Sequence, residues 1–127
     1  MNGFAYYNPN PKGLTNAYDC VVRAYTYFFG VTWYKAFFDA INWCAEKGLV
    51  RWNFPSIYTQ YLKDKGYQRH RAPRKGITVG QFRDEFADIN KTYIISGPHH
   101  LTIIAKKDIL DLGDCSDMVM FAYWERQ

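Results

Sequence analysis

Asn16-Ala17-Tyr18-Asp19-Cys20-Val21-Val22-Arg23-Ala24 is the stretch from which the fold is read. Asp19 is a good N-cap residue, and the run Cys20 to Phe29 followed by Gly30 predicts a helix with a glycine stop. Cys20 then falls in the first helical turn. There, unpaired backbone N–H groups and the positive end of the helix dipole favour a thiolate over a thiol. The same N–H groups can stabilise an oxyanion forming on a bound carbonyl. Cys20 is thereby a candidate nucleophile, and the competing reading is a buried structural cysteine, since free cysteine is among the most buried residue types. Helical spacing puts Cys20, Ala24, Tyr27 and Phe28 on one inward face, with Arg23 and Thr26 nearer the other side.

Upstream, Asn8-Pro9-Asn10-Pro11-Lys12-Gly13 is turn and extended chemistry. Phe4, Tyr6 and Tyr7 before it suggest a segment pinned to the body as an edge strand, delivering the chain to the start of the Cys20 helix. Downstream, Thr32 caps a helix over Trp33 to Lys47 that Gly48 closes, with an apolar stripe that includes Cys44, a core residue on this reading. A third helix is expected from Ser56 to Lys65, and the Thr78-Val79-Gly80-Gln81 capping box opens a short fourth one running to about Ala87.

The last third changes period. Thr92 to Ser96, His100 to Ala105, Asp108 to Leu112 and Met118 to Trp124 are short β-branched or aromatic runs between turn residues, and they read as an antiparallel meander. Helices followed by strands give an α+β fold, with N-terminal helices packed on a C-terminal antiparallel sheet. At 127 residues the chain is read as one domain, residues 1–127.

Composition narrows the classes. The chain is 48% apolar and 19% aromatic, which excludes disorder, and its net charge of +4 permits acidic partners without demanding them. No run is long and apolar enough to span a bilayer, no signal-peptide core is seen, and the expected setting is cytoplasmic. Three cysteines (Cys20, Cys44, Cys115) without C-x-x-C pairing indicate neither a disulfide framework nor a zinc site. Adjacent His99 and His100 would face opposite sides of a strand, so no metal and no cofactor are expected.

A cysteine nucleophile needs a base and a group to orient that base. A two-residue turn at Lys106-Lys107 would set Ile104 opposite Ile109, Thr102 opposite Asp111, and His100 beside Asp111 on one face, with His99 pointing away. A structural histidine at position 100, and Asp114 or Asp117 as the carboxylate, remain alternatives.

Asp19-Cys20 opening a helix, His100 on a strand after Ser96-Gly97, and Asp111 beyond it resemble the papain-like cysteine peptidase superfamily in its compact bacterial and phage forms. More narrowly, Asn8-Pro9-Asn10-Pro11, Asp19 to Ala24 and Asp111 to Asp117 resemble a small group of phage and prophage proteins. The resemblance spans most of the chain. It implies a papain-like fold in which Cys20 is the nucleophile, His100 the base and Asp111 the orienting residue. The papain pattern has a Gln shortly before the cysteine as an oxyanion donor. None stands here, and Asn16 is the nearest amide.

Arg69, Arg71, Arg74 and Lys75 form the strongest positive cluster, able to bind a partner or, with Tyr67, to contact nucleic acid. Two functions follow. One is a cysteine-dependent hydrolase or acyl transferase acting on an amide or isopeptide bond of a protein or peptide. The other is a non-catalytic binding protein, such as a phage-encoded modulator of a host protein, using its aromatic and basic surface.

Overall fold

The computed structural model describes residues 3–127 and has an α+β architecture. In chain order the elements are β1 (Phe4–Tyr6), α1 (Cys20–Phe29), α2 (Trp33–Lys47), α3 (Pro55–Asp64), β2 (His70–Arg71), α4 (Val79–Glu85), β3 (Thr92–Gly97), β4 (His100–Ala105), β5 (Asp108–Asp111) and β6 (Ala122–Arg126). The helix punctuation read from sequence is realised in local chemistry. Gly30 and Gly48 take left-handed backbone angles (φ 65 and 74) and close α1 and α2, as only a residue without Cβ does cheaply. Thr32 accepts from the Lys35 N–H at 3.1 Å, and Thr78 and Gln81 cap α4 reciprocally.

The strands form one sheet in the order β1-β5-β4-β3-β6-β2. This corrects two expectations. The C-terminal strands are not a simple meander, because β6 pairs with β3 rather than with β5, and the sheet is not wholly antiparallel, because β1 lies parallel to β5. From Leu112 the chain leaves the sheet after β5, touches Thr78 through a bridge at Val119, and re-enters beside β3. The last strand therefore begins at Ala122 rather than Met118. Part of the basic stretch is not loop at all, since His70 and Arg71 extend the sheet against β6.

Strand alternation divides the core between the two sheet faces. Ile94, Leu101, Ile103, Ala122 and Trp124 pack with α1, α2 and α3, while Tyr93, Ile95, Ile104 and Ile109 pack with Phe82 and Val79 of α4. With β3 and β4 on one side and α2 on another, α1 is covered nearly all round. That is why Arg23 and Thr26, expected on an outer side, are buried. Cys44 is buried in α2, where loss of solvation pushes its thiol pKa up. Among the described residues no helix is long and apolar enough to cross a membrane.

Candidate active site

The site is assembled at one end of the β4–β5 hairpin. At the other end Lys106 and Lys107 turn the chain with φ 53 and 66, the paired positive angles of a tight hairpin turn. The register that results pairs Ala105 with Asp108, Ile104 with Ile109 and Ile103 with Leu110. His100 is the first residue of β4 and Asp111 the last of β5, and their side chains meet, with His100 Nε2 2.6 Å from Asp111 Oδ2. His99 is not a strand residue pointing the other way. It sits exposed, with φ 52, in the Pro98-His99 turn between β3 and β4. Proline fixes the first turn angle and His99 takes the second.

Asp111 is buried and fully engaged. Its Oδ1 accepts from Arg23 Nη2 at 3.1 Å and from the Leu112 N–H at 2.7 Å, and its Oδ2 also receives the Cys115 thiol at 3.7 Å. Arg23 continues the chain of contacts, donating through Nη1 to Asp19 Oδ1 at 2.6 Å. Asp19 Oδ2 accepts from Asn10 Nδ2 at 3.1 Å and Trp33 Nε1 at 2.9 Å. The expected side-chain cap from Asp19 onto α1 is not made, because its carboxylate turns to Arg23 instead. A buried guanidinium shared by two carboxylates satisfies all three charges, which buried charges require.

This network sets the electrostatics of Cys20, which is half-buried at the first position of α1. Burial alone would raise its thiol. A hydrogen bond with His100, the Leu101 backbone N–H, and the charges of His100 and Arg23 outweigh burial and bring the pKa below its ordinary value. For His100, burial would favour the neutral ring. Hydrogen bonds to Asp111, Cys115 and Cys20 and the Asp111 charge raise it to about 11. Burial would raise the Asp111 carboxyl, but the His100 hydrogen bond and charge, Thr102 and the Leu112 N–H hold it below the usual carboxylate range. These directions favour an imidazolium at His100 and shift the Cys20 thiol towards its thiolate. With Nε2 engaged by Asp111, Nδ1 is the ring nitrogen left for proton exchange with Cys20.

Cys20 and His100 line a cleft of about 940 Å³ between the start of α1, the start of α3 and the β3–β4 turn. Asn16, exposed, lines the same cleft. So does Tyr58, whose phenol is raised by burial and by the charge of Cys20. The basic cluster is divided. Arg69 lines the cleft, Arg71 is exposed on β2, Arg74 is paired with Glu85 at 2.9 Å, and Lys75 is exposed in the following turn.

Among the members of the site that escaped the sequence reading are Arg23, Asn10 and Cys115, together with Trp33 and Tyr58. Arg23 had a signal, its i,i+4 spacing from Asp19. Asn10 and Cys115 are brought in by loops and had none. Donor atoms of His100, Asp111 and Cys115 lie within 4.8 Å of one another, a composition that suits a metal. A cation there would have to displace the 2.6 Å His100–Asp111 bond on a carboxylate already held by a guanidinium. The cluster therefore fits a hydrogen-bond relay better than a metal centre. Compared with family models, with curated proteins and with solved structures, the chain finds no match, so the residues above carry the functional argument themselves.

Proposed function

We propose that this protein is a cysteine-dependent hydrolase or acyl transferase acting on an amide or isopeptide bond of a protein or peptide, with a papain-like arrangement of nucleophile and base. The observation that carries the reading is a helix-N-terminal Cys20 in an open cleft, beside a His100 that Asp111 holds at 2.6 Å. Cys20 Sγ attacks the carbonyl carbon, and the oxyanion forms against the free N–H groups at the start of α1. The C–N bond breaks as His100 Nδ1 gives its proton to the leaving amine, leaving a thioester on Cys20. Water or a second amine then attacks the thioester, His100 takes the incoming proton, and Cys20 leaves as the thiolate. No cofactor enters these steps. Cys115 bonds to the Asp111 carboxylate and to His100 but does not line the cleft, which favours Cys20 as the nucleophile.

Free thiols suit a reducing compartment, and the resemblance to phage proteins extends the reading to a phage-encoded enzyme working on a host protein in the host cytoplasm. Alkylation with iodoacetamide across pH, read by peptide mapping, tests the assignment. Cys20 is expected to react first at neutral pH with Cys44 protected, and a Cys20 that titrates at an ordinary ~8.5 overturns it.

A non-catalytic binding module is the second reading. It is favoured by exposed Tyr18 (89%) and Tyr34 (50%) around an apolar depression of about 320 Å³ next to the site. Partner binding that survives in Cys20→Ala, with no thioester trapped in the wild type, would select it.

A further inference from the structure

The charge of the cleft points to the kind of substrate it takes. Asp19 is the one carboxylate among the residues lining it, and that group is buried and occupied by Arg23, Asn10 and Trp33. Arg69, in contrast, lines the cleft exposed and makes no ion pair among the described residues, whereas Arg74 and Arg83 on the same molecule are paired with Glu85 and Asp84. Tyr58 lines the cleft with Cys20 and Arg69 and interacts electrostatically with both, so nucleophile and cation lie within reach of one phenol. A second cation, Arg51, stacks at 4.9 Å on Phe54, itself a lining residue. The backbone adds to this field. Both α1 and α3 begin at the cleft without a side-chain cap, leaving their positive ends open to it.

We propose that the cleft selects a substrate segment bearing a carboxylate close to the scissile amide, with Arg69 as the specificity-determining residue. This rests on Cys20 being the nucleophile. An unpaired cation on a wall without a free carboxylate attracts an anionic segment and disfavours a basic one.

Affinity labels that alkylate Cys20 test this without a known substrate. The labels are iodoacetyl-glutamate α-amide, iodoacetyl-glycine with a free carboxylate, and iodoacetyl-glutamine amide as the neutral control. In each the sulfur–carbon bond forms as iodide leaves, and each rate is divided by that of the same label with free cysteine. The wild type is expected to favour an anionic label by about two- to fivefold, the range an exposed ion pair supports. Arg69→Gln should remove that excess, Arg69→Glu should invert it, and Arg69→Lys should restore most of it. Preference for the glutamate label identifies a side-chain carboxylate, and preference for the glycine label a chain terminus. No excess, or an excess unchanged in Arg69→Gln, overturns the proposal, since the His100 imidazolium would then account for any attraction. The rate of the neutral label against pH reads the nucleophile separately. An ordinary thiol titration there sinks the catalytic reading, while a depressed one without an Arg69 effect sinks only the substrate class.

Discussion

Thr32 and Asp19 stand immediately before consecutive helices and do opposite things. Thr32 turns its hydroxyl onto the Lys35 N–H and closes the start of α2. Asp19 turns its carboxylate away from the first N–H groups of α1, onto the side chains of Arg23, Asn10 and Trp33. The difference follows from what each helix end faces. At α2 the free N–H groups are a cost, and a hydroxyl cap removes it. At α1 they face the cleft beside Cys20, where a carboxylate cap would set a negative charge against a thiolate. Withdrawn to Arg23, Asp19 leaves those donors free and fixes the cation that holds Asp111.

The comparison breaks most severely at Arg23. Replacing it by Leu leaves Asp19 and Asp111 buried without their shared cation, and the loss in chemical denaturation should be about 3–5 kcal/mol. Cys20 should lose its fast alkylation in the same variant. An effect below about 1 kcal/mol would mean that the pairs are solvated and add little.

His100→Ala comes next. Removing the ring should slow Cys20 alkylation near neutral pH, and any turnover should fall by about 10²–10⁴. Asp111→Asn should give a smaller loss, because the ring stays but is held less well. His99→Ala, exposed in its turn, should change neither. A larger effect at His99 than at His100 would overturn the assignment of the base.

Stability against pH gives a third test. The folded pKa of His100, about 11, exceeds its ordinary 6.5. Its contribution is therefore complete below about pH 6.5 and declines as pH rises towards 11. Asp111 is depressed when folded, so its contribution holds above its ordinary carboxylate range and is lost as pH falls through its lower folded value. Denaturation midpoints should fall on both sides, and His100→Gln should flatten the alkaline slope. Cys20, depressed when folded, adds stability as pH rises towards the ordinary thiol range and offsets the His100 decline there. The alkaline fall should therefore emerge above about pH 9, and a wild-type midpoint level between about pH 9 and 11 would contradict the ion pair.

Thr32→Ala is expected to have the smallest effect that is still measurable, a loss of about 1 kcal/mol with Cys20 reactivity unchanged. Altered reactivity there would erase the distinction between the two helix ends.

How far the sequence could be read depended on range. Caps and glycine stops are local, so α1 and α2 were legible to their end residues. The Lys106-Lys107 turn is local as well, and it carried the register that brings His100 to Asp111. The parallel pairing of β1 with β5 and the placing of β6 beside β3 depend on contacts between distant segments, which no local period encodes. Arg23 was misplaced for a related reason. A helical wheel assigns polar residues outward, and cannot register that sheet and helix cover α1 on several sides. Asn10 and Cys115 reach the site through irregular chain, where pattern is silent.

The Arg23 bridge joins residues 88 positions apart, one on the helix of the nucleophile and the other on the strand that orients the base. Its consequence lies in the order in which mutations can accumulate. Loss of Arg23 alone strands two buried acids, and loss of either acid unbalances the cation, so each single step leads downhill. Replacing all three by apolar groups of matching volume could leave the fold intact while freeing His100 to turn. Lineages of this protein should therefore fall into two classes. One keeps the Asp19–Arg23–Asp111 triple together with an acylating Cys20, and the other has lost the triple as a unit along with the chemistry.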